Sequence, residues 1–410
     1  MIIFPIELFK SIANLKILQI SPQIPWPLDS GGRIGIYGIL KYLAKRGNNI
    51  YFLSYLNNFD LNLVDPILQE YCHPHILNVS TENRIIPAIR NLFSNVPYNI
   101  SKYKTKQLEE FLIDFLKKYK VDVVHIDHLH LGWTVDVIKS IKNVPVILRE
   151  HNLELKIMQR FSEQQTNIFL KYYSNLQYKK FIKYEPALAE KFDKCIMVSE
   201  EDEKLLKKMN PKVKTSTIPV GVGNELLNIN KINIIPFSLF HVGSMSWLPN
   251  KDGLNWFLQE VFPSVIASFP RTTLYLYGSG TDKLNIPIFL QKNIIKVGYV
   301  KDIWEATNDK QLAIVPLRIG SGIRVKIIEM LATGQNIIST SIGKEGISIS
   351  DGEEILIADT AEEFIDKIIK YFNNEYDSEK ISFKAKQRVT EYYTWEKIAE
   401  SFELEYKKLL

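Results

Sequence analysis

Short apolar runs alternate with longer amphipathic stretches along the whole of this 410-residue chain. Apolar runs of this kind fit buried strands, and stretches with apolar residues every three or four positions fit helices. In the first half, strands are expected at 16–20, 50–54, 76–79, 121–126, 144–149 and 194–198. Helices are expected between them at 35–46, 105–118 and 174–192, and Gly47 after Arg46 fits a helix C-cap. The second half repeats the logic, with strands at 238–242, 273–277, 294–297, 312–315, 336–339 and 355–357. Its helices fit 252–269, 303–306, 324–332 and 361–373, and residues 394–410 read as one amphipathic helix. This order predicts an α/β protein with two doubly wound parallel sheets, in domains 1–215 and 216–393. The turn residues of 210–235 fit an interdomain connector. Ligands of open α/β sheets bind beyond the carboxyl ends of strands, so the loops that follow strands are where chemistry is expected.

The stretch 312–334 carries the strongest signal. An apolar run at 312–317 leads through Gly320, Ser321 and Gly322 into a helix with Val325, Ile328, Leu331 and Ala332 on its apolar face. Exposed N–H groups at such a helix start attract an anion, and the helix dipole adds to the pull. Arg324 and Lys326 put two cations in the same first turn, where the dipole disfavours them. A bound phosphate or diphosphate would offset that cost. Glu329, set among Ile327, Ile328, Met330 and Leu331, can accept two hydroxyl hydrogen bonds, as a ribose would offer. The plain alternative is a solvated helix face with an i,i+3 ion pair.

Other small-residue loops also follow strands. Residues 21–33 bend through prolines to Gly31 and Gly32, which open a helix and let backbone approach a ligand; the alternative is a tight turn without one. Neither a six-residue dinucleotide fingerprint nor a Walker loop is present. His151, just past the strand 144–149, is placed to hydrogen-bond a sugar hydroxyl. Its alternative is a structural role at the next helix, with Asn152 as the cap. Asp127-His128-Leu129-His130 makes a thin metal set and fits better as a rim loop touching an acceptor. Gly243 and Ser244 can approach a phosphate, Lys251 opens the following helix, and Trp247 is expected to pack under the loop. Gly278-Ser279-Gly280 is another small-residue turn, and a base could lie against backbone at Tyr299 and Val300. No Ser-His-Asp or Cys-His spacing and no pair of carboxylates at one site stands out, which weakens a glycosidase reading.

Composition narrows the partners. The length exceeds what a single core holds, roughly 250–300 residues, and 46% hydrophobic residues supply full-sized cores. The formal net charge of +5 comes without a long basic run, which argues against nucleic acid. It permits loose contact with an anionic membrane surface. Cys72 and Cys195 lie far apart with no metal-type spacing, so a disulfide framework is excluded and a reducing cytoplasm fits. The first ten residues lack a basic n-region and carry Pro5 and Glu7, a poor signal peptide. No window offers the roughly 18 uninterrupted apolar residues of a membrane span.

Taken together, the residues resemble the GT-B fold glycosyltransferases of the large retaining family 4, the glycosyl transferases group 1. The runs 243–253 and 320–329 carry the resemblance, with support from 21–46, 149–154, 198–202 and 218–222. It implies two Rossmann-like domains facing a central cleft, with the final helix crossing back to the N-terminal domain. It implies transfer of a sugar from a nucleotide-diphosphate sugar to a saccharide or lipid-linked acceptor, with retention, and with neither metal nor other cofactor. Under the resemblance Arg324 and Lys326 bind the donor diphosphate, and Glu329 matches the second carboxylate of the family's Glu, seven residues, Glu pattern and holds the ribose. The first carboxylate of that pattern falls at Ser321, so this chain departs from it. Backbone N–H groups of Ser321, Gly322 and Ile323 are available to take over the donor-sugar contact. His151 matches the family's active-site His, and Gly31 and Gly32 match its N-domain glycine loop. Such enzymes commonly build surface polysaccharide or glycoconjugate, in the cytoplasm or at the inner face of the plasma membrane. Two rivals stay open: a nucleotide-sugar epimerase of the same fold, and a non-catalytic sugar-binding protein.

Overall fold

In a computed structural model of the protein, the structure describes residues 14–28, 31–56, 66–229, 232–320 and 322–410. The N-terminal decapeptide and Ser321 lie outside the described residues. The chain forms two compact units, one running to Pro219 and completed by Ile398–Leu410, the other Val220–Lys397.

The first unit is built on seven parallel strands: β1 (Lys16–Ser21), β2 (Asn49–Tyr55), β3 (His73–Leu77), β4 (Val123–Asp127), β5 (Val146–Glu150), β6 (Lys194–Met197) and β7 (Thr215–Thr217). They lie in the order β3-β2-β1-β4-β5-β6-β7. The second unit has six: β8 (Ile235–Val242), β9 (Thr273–Tyr277), β10 (Ile294–Gly298), β11 (Lys310–Val315), β12 (Ile337–Ser339) and β13 (Leu356–Ile357), in the order β10-β9-β8-β11-β12-β13. Both are doubly wound Rossmann-like sheets, as expected. Every residue of β4 and β5 is buried, polar His125, Asp127, Arg149 and Glu150 included, so neither strand shows the apolar–polar alternation of a half-exposed one. In each sheet the strand order reverses beside the first strand. The switch points therefore lie between β1 and β4 and between β8 and β11.

Where the structure departs from the sequence reading, local chemistry explains it. The expected helix 252–269 instead starts at Leu248, with Pro249 in its first turn, and passes through a π-turn at Phe257–Val261 before Phe262–Ser268. Pro263 has no N–H to continue the ladder, and the wide turn absorbs the mismatch. The helix Ile168–Ala189 begins six residues earlier than expected, because Asn167 caps the N–H groups of Phe169 and Leu170 at 3.0 and 3.1 Å. The three-residue edge strand β7 was hidden inside the expected connector; it is too short to show a pattern.

The last helix, Trp395–Lys407, delivers three side chains to the first unit. Buried Glu403 accepts from Asn48 Nδ2 at 2.6 Å and Arg46 Nη2 at 2.9 Å. Phe402 stacks on His125 with ring centroids 5.3 Å apart, and the Tyr406 hydroxyl lies 2.6 Å from His125 Nδ1.

Candidate active site

At the switch point of the second unit, the chain leaves β11 and turns through Gly320 and Gly322, with φ of 132° and 78°. Only glycine takes such angles without strain. The helix Val325–Ala332 follows with no side-chain cap, and the N–H groups of Gly322 and Ile323 meet no acceptor among the described residues. Buried Arg324 donates from Nη1 to the Gly322 carbonyl, and its Cζ lies 5.5 Å from the Trp247 ring centroid. Trp247 therefore does not pack under its loop as expected. It is exposed, with its ring offered to a guanidinium.

Lys326 reaches across the switch point. Its Nζ donates to the carbonyl of Val242, the last residue of β8, at 2.7 Å and to Asn250 Oδ1 at 3.1 Å. Asn250 in turn donates to the Ser244 carbonyl at 3.1 Å. A Cβ at Gly243 would run into the Asn250 amide, which is why a residue without one sits there. Desolvation, reinforced by the Arg324 guanidinium, pulls the Lys326 ammonium down to about 7. Beneath it, the imidazole of buried His241 donates from Nδ1 to the Ile314 carbonyl at 3.1 Å; burial and then Lys326 push its pKa to about 3. It is neutral throughout the physiological range.

Lys326 makes no ion pair with Glu329, so the helix-face alternative does not form. The half-buried Glu329 carboxylate has no hydrogen-bonding or ionic partner among the described residues, and burial raises its pKa to about 7. Two cations at an uncapped helix start cost about 0.3–1 kcal/mol each through the dipole. That dipole contribution is unfavourable, and an anion at the helix start would offset it.

At the ends of β8 and β9, Ser244 Oγ lies 2.8 Å from both Ser246 Oγ and Ser279 Oγ, a small cluster of hydroxyls. Lys251 lies exposed inside the helix rather than opening it. Beyond β10, Tyr299 is exposed and Val300 half-buried, and their N–H groups meet no acceptor among the described residues. Ser321 lies outside the described residues.

In the first unit a second cluster sits at the switch point between β1 and β4. His151 Nε2 lies 3.3 Å from Asp127 Oδ1, on the last residue of β4. The same oxygen is 3.4 Å from His125 Nε2, and Gln19 on β1 donates to Asp127 Oδ2 at 2.7 Å. Burial works to raise the Asp127 pKa, but His125 and His151 outweigh it and hold the carboxylate well below its ordinary range. Burial lowers the pKa of His151, so its ring is neutral. With Nε2–H donating to Asp127, Nδ1 carries the lone pair. His128 (φ 65°) stacks on His151, centroids 4.1 Å apart and planes 9° apart. Gly32 packs against the His128 ring, while Gly31, the first residue of the helix Gly31–Lys45, is exposed. Gly35 of that helix abuts His151: a Cβ there would come within 2.9 Å of Cε1.

Neither His151 nor Asn152 caps the next helix. The N–H groups of Glu154 and Leu155 go instead to the two oxygens of Glu185, each at 2.8 Å. Glu150 finds no donor among the described residues and lies beside Glu185. Burial first, then Glu185, pushes Glu150 well up; burial raises Glu185 to about 8. Among the described residues no group of three His, Cys, Asp or Glu is placed to hold a metal ion.

Comparison with known proteins fits this geometry. A family model described as "Glycosyltransferase Family 4" matches residues 30–225, and one described as "Glycosyl transferases group 1" matches residues 236–374. The chain belongs to the GT-B glycosyltransferases of group 1. This glycosyltransferase is 24% identical, over 94% of its length and 98% of the relative's, to an "Uncharacterized 44.6 kDa protein in cps region" of Klebsiella pneumoniae. Its fold matches sucrose-phosphate synthase of Thermosynechococcus elongatus with a TM-score of 0.69 at 17% identity, covering 96% of this chain and 99% of that one. It matches Anabaena HepE, solved in complex with UDP, with a TM-score of 0.66 at 12% identity over 96% and 100% of the two chains.

The sequence reading of this glycosyltransferase missed Asn250 as the tie for Lys326 and Asp127 as the holder of His151. A strand-terminal Asp before His128 was a visible signal. That it meets a His 24 positions later was not, because pairing across β4 and β5 is long-range.

Proposed function

We propose that this glycosyltransferase moves a sugar from a nucleotide-diphosphate sugar to a hydroxyl of a saccharide or lipid-linked acceptor, with retention and without a metal. The observation that carries the reading is the placement of Lys326. A desolvated ammonium at an uncapped helix start, tied to the end of the neighbouring central strand, is built to meet an anion. In the reaction the bond between the anomeric carbon and the phosphate oxygen breaks, and its electron pair stays on the diphosphate. Lys326, Arg324 and the N–H groups of Gly322 and Ile323 stabilise that growing charge. The acceptor oxygen bonds to the anomeric carbon from the leaving-group side, and its proton passes to a diphosphate oxygen. Glu329 accepts the two ribose hydroxyls, and the base lies against Tyr299 and Val300. His151 accepts a hydrogen bond from a sugar hydroxyl at Nδ1.

The UDP complex of HepE supports a uridine nucleotide, and the cps-region relative supports a role in capsule or other surface polysaccharide. A cytoplasmic reaction is part of this reading, and the two buried free cysteines, Cys72 and Cys195, support a reducing compartment. The test is a thermal-shift screen of UDP, GDP and their sugars. Ligand at a hundredfold excess over Kd adds about 2.7 kcal/mol of apparent stability. A nucleotide-sugar that stabilises the protein is then incubated alone, with acceptor, and with EDTA. Conversion of donor without acceptor would favour an epimerase, inversion at the anomeric carbon would remove the retaining scheme, and loss of activity restored by a divalent ion would remove metal independence.

A further inference from the structure

Past the loop that carries His128 and His130, the first unit holds a cavity of about 440 Å³, inside the range of about 300–1,000 Å³ typical of small-molecule sites. Trp133 and Tyr184 line it. Trp133 ends the connection that leaves β4 and precedes the helix Thr134–Ile141. Gly132 lets that connection press against the helix Ile168–Ala189: a Cβ there would meet Leu188 Cδ2, in the cavity wall, at 2.8 Å. Tyr184 is half-buried, and its hydroxyl has no hydrogen-bonding partner among the described residues. Burial, then the Asp136 carboxylate, raises this phenol to about 12, so it stays neutral and can both donate and accept.

The charges around the cavity identify its ligand. Lys104, Lys191, Glu109 and Asp136 are exposed and also line it, so their formal charges cancel. Lys191 pairs with Asp136 at 2.7 Å, and Glu109 has no partner among the described residues. A phosphate would meet the carboxylates and a cation would meet the lysines, whereas a neutral polyhydroxylated ring can donate to the first and accept from the second. Its C–H faces would pack on the aromatic walls. A line of half-buried rings joins this cavity to His151. His128, stacked on His151, lies 6.0 Å from His130 between centroids, and Tyr103 lies 4.9 Å from His130. The next residue, Lys104, sets its Nζ 5.7 Å from the Trp133 ring centroid. We propose that the acceptor is a saccharide chain, and that the cavity beside Trp133 and Tyr184 holds a neutral sugar unit of that chain remote from the hydroxyl that reacts. The proposal deepens the reading of a saccharide acceptor above and rests on it.

The test is calorimetric titration of the full chain with neutral hexasaccharides of glucose, galactose, mannose and N-acetylglucosamine, and with the four monosaccharides. At least one hexasaccharide is expected to bind about tenfold or more tightly than its monosaccharide, because a chain engages the ring line and the cavity together. Tyr184→Phe removes only the hydroxyl and should weaken that binding roughly two- to tenfold, the scale of one hydrogen bond. Ala187 is exposed on the helix Ile168–Ala189 and lines the cavity, so Ala187→Phe fills it and should abolish the preference for the chain. Both variants should melt cooperatively and gain the same stabilisation from UDP as the wild type, which shows that they are folded and scores the donor reading separately. Hexasaccharides that bind no better than their monosaccharides, for all four sugars, overturn the proposal. So does chain binding that Ala187→Phe leaves intact, or displacement of the chain by inorganic phosphate, the mark of an anion site. Absence of any UDP effect on the wild type would sink the donor reading and leave the saccharide result standing.

Discussion

The carboxylate of Asp127 holds the imidazole of His151 by its Nε2, at 3.3 Å, and so leaves Nδ1 as the basic nitrogen. The same carboxylate is itself fixed, by Gln19 on β1 and by His125, which the Tyr406 hydroxyl steadies from the last helix. Four separate stretches of chain thus converge on one tautomer.

Replacing Asp127 by Asn lets the side chain present either an amide or a carbonyl to His151, and the tautomer is no longer dictated. In the proposed reaction kcat should fall roughly ten- to hundredfold, the scale of a lost hydrogen bond to a charged group worth about 1.5–3 kcal/mol. The affinity for UDP, whose proposed contacts lie in the other unit, should not change. Steady-state kinetics and calorimetric UDP titration separate the two, and an unaltered kcat would show that the tautomer is not used.

Gly35→Ala probes the same ring from the other side. In a helix interior this change ordinarily stabilises by up to about 1 kcal/mol. Here the added methyl meets His151 Cε1 at 2.9 Å, so the ring must move. Activity is expected to drop while the melting temperature stays within a few degrees. Equal losses of stability and activity would point to simple misfolding.

Lys326→Ala removes the cation that bridges the switch point between β8 and β11. Turnover is expected to fall on the order of 10²-fold or more, the scale of a lost charge stabiliser. Near-normal turnover with the chosen donor would contradict the diphosphate assignment.

Affinity for a UDP-sugar should be greatest near pH 7. In the proposed site the ribose hydroxyls bind the charged form of Glu329, whose pKa burial raises to about 7, so affinity is expected to weaken as pH falls below that value. The diphosphate of the proposed donor binds the charged form of Lys326, lowered to about 7 by burial and Arg324, so affinity is also expected to weaken as pH rises above it. Calorimetry across this range should show both limbs in the wild type and only the alkaline limb in Glu329→Gln. A variant that keeps the acid limb would remove Glu329 from the site.

The Glu150–Glu185 pair predicts a stability that declines with rising pH. Both native pKa values lie above the ordinary carboxyl value, Glu185 at about 8. The native state therefore holds protons that the unfolded chain has released between about pH 4.5 and 8, and stability is lost as pH rises through that window. Each such proton contributes a slope of about 1.4 kcal/mol per pH unit. Glu150→Gln, whose amide can donate to Glu185, should flatten the decline, as read from urea midpoints at the two ends of the window.

Much of this protein is legible in its sequence because the signals are local. Short apolar stretches at 146–148 and 312–315 announce β5 and β11, since strands buried on both faces need no polar alternation. Small residues at 320–322 announce a turn, and Arg324, Lys326 and Glu329 lie close enough in one helix start to be read as a group. Contacts between distant segments leave no such trace. Whether Lys326 would pair with Glu329 three residues away or with Val242 and Asn250 across the sheet could not be told from spacing, because packing against β8 supplies the competing acceptors. Asp127 and His151 come together only because β4 and β5 are neighbours in parallel register, and Glu185 replaces Asn152 as the cap only because a later helix folds back over the strand end. Side-chain type and local periodicity determined the sheets and nominated the cations; desolvation and long-range partners, which exist only once the chain is folded, decided their protonation and their tasks.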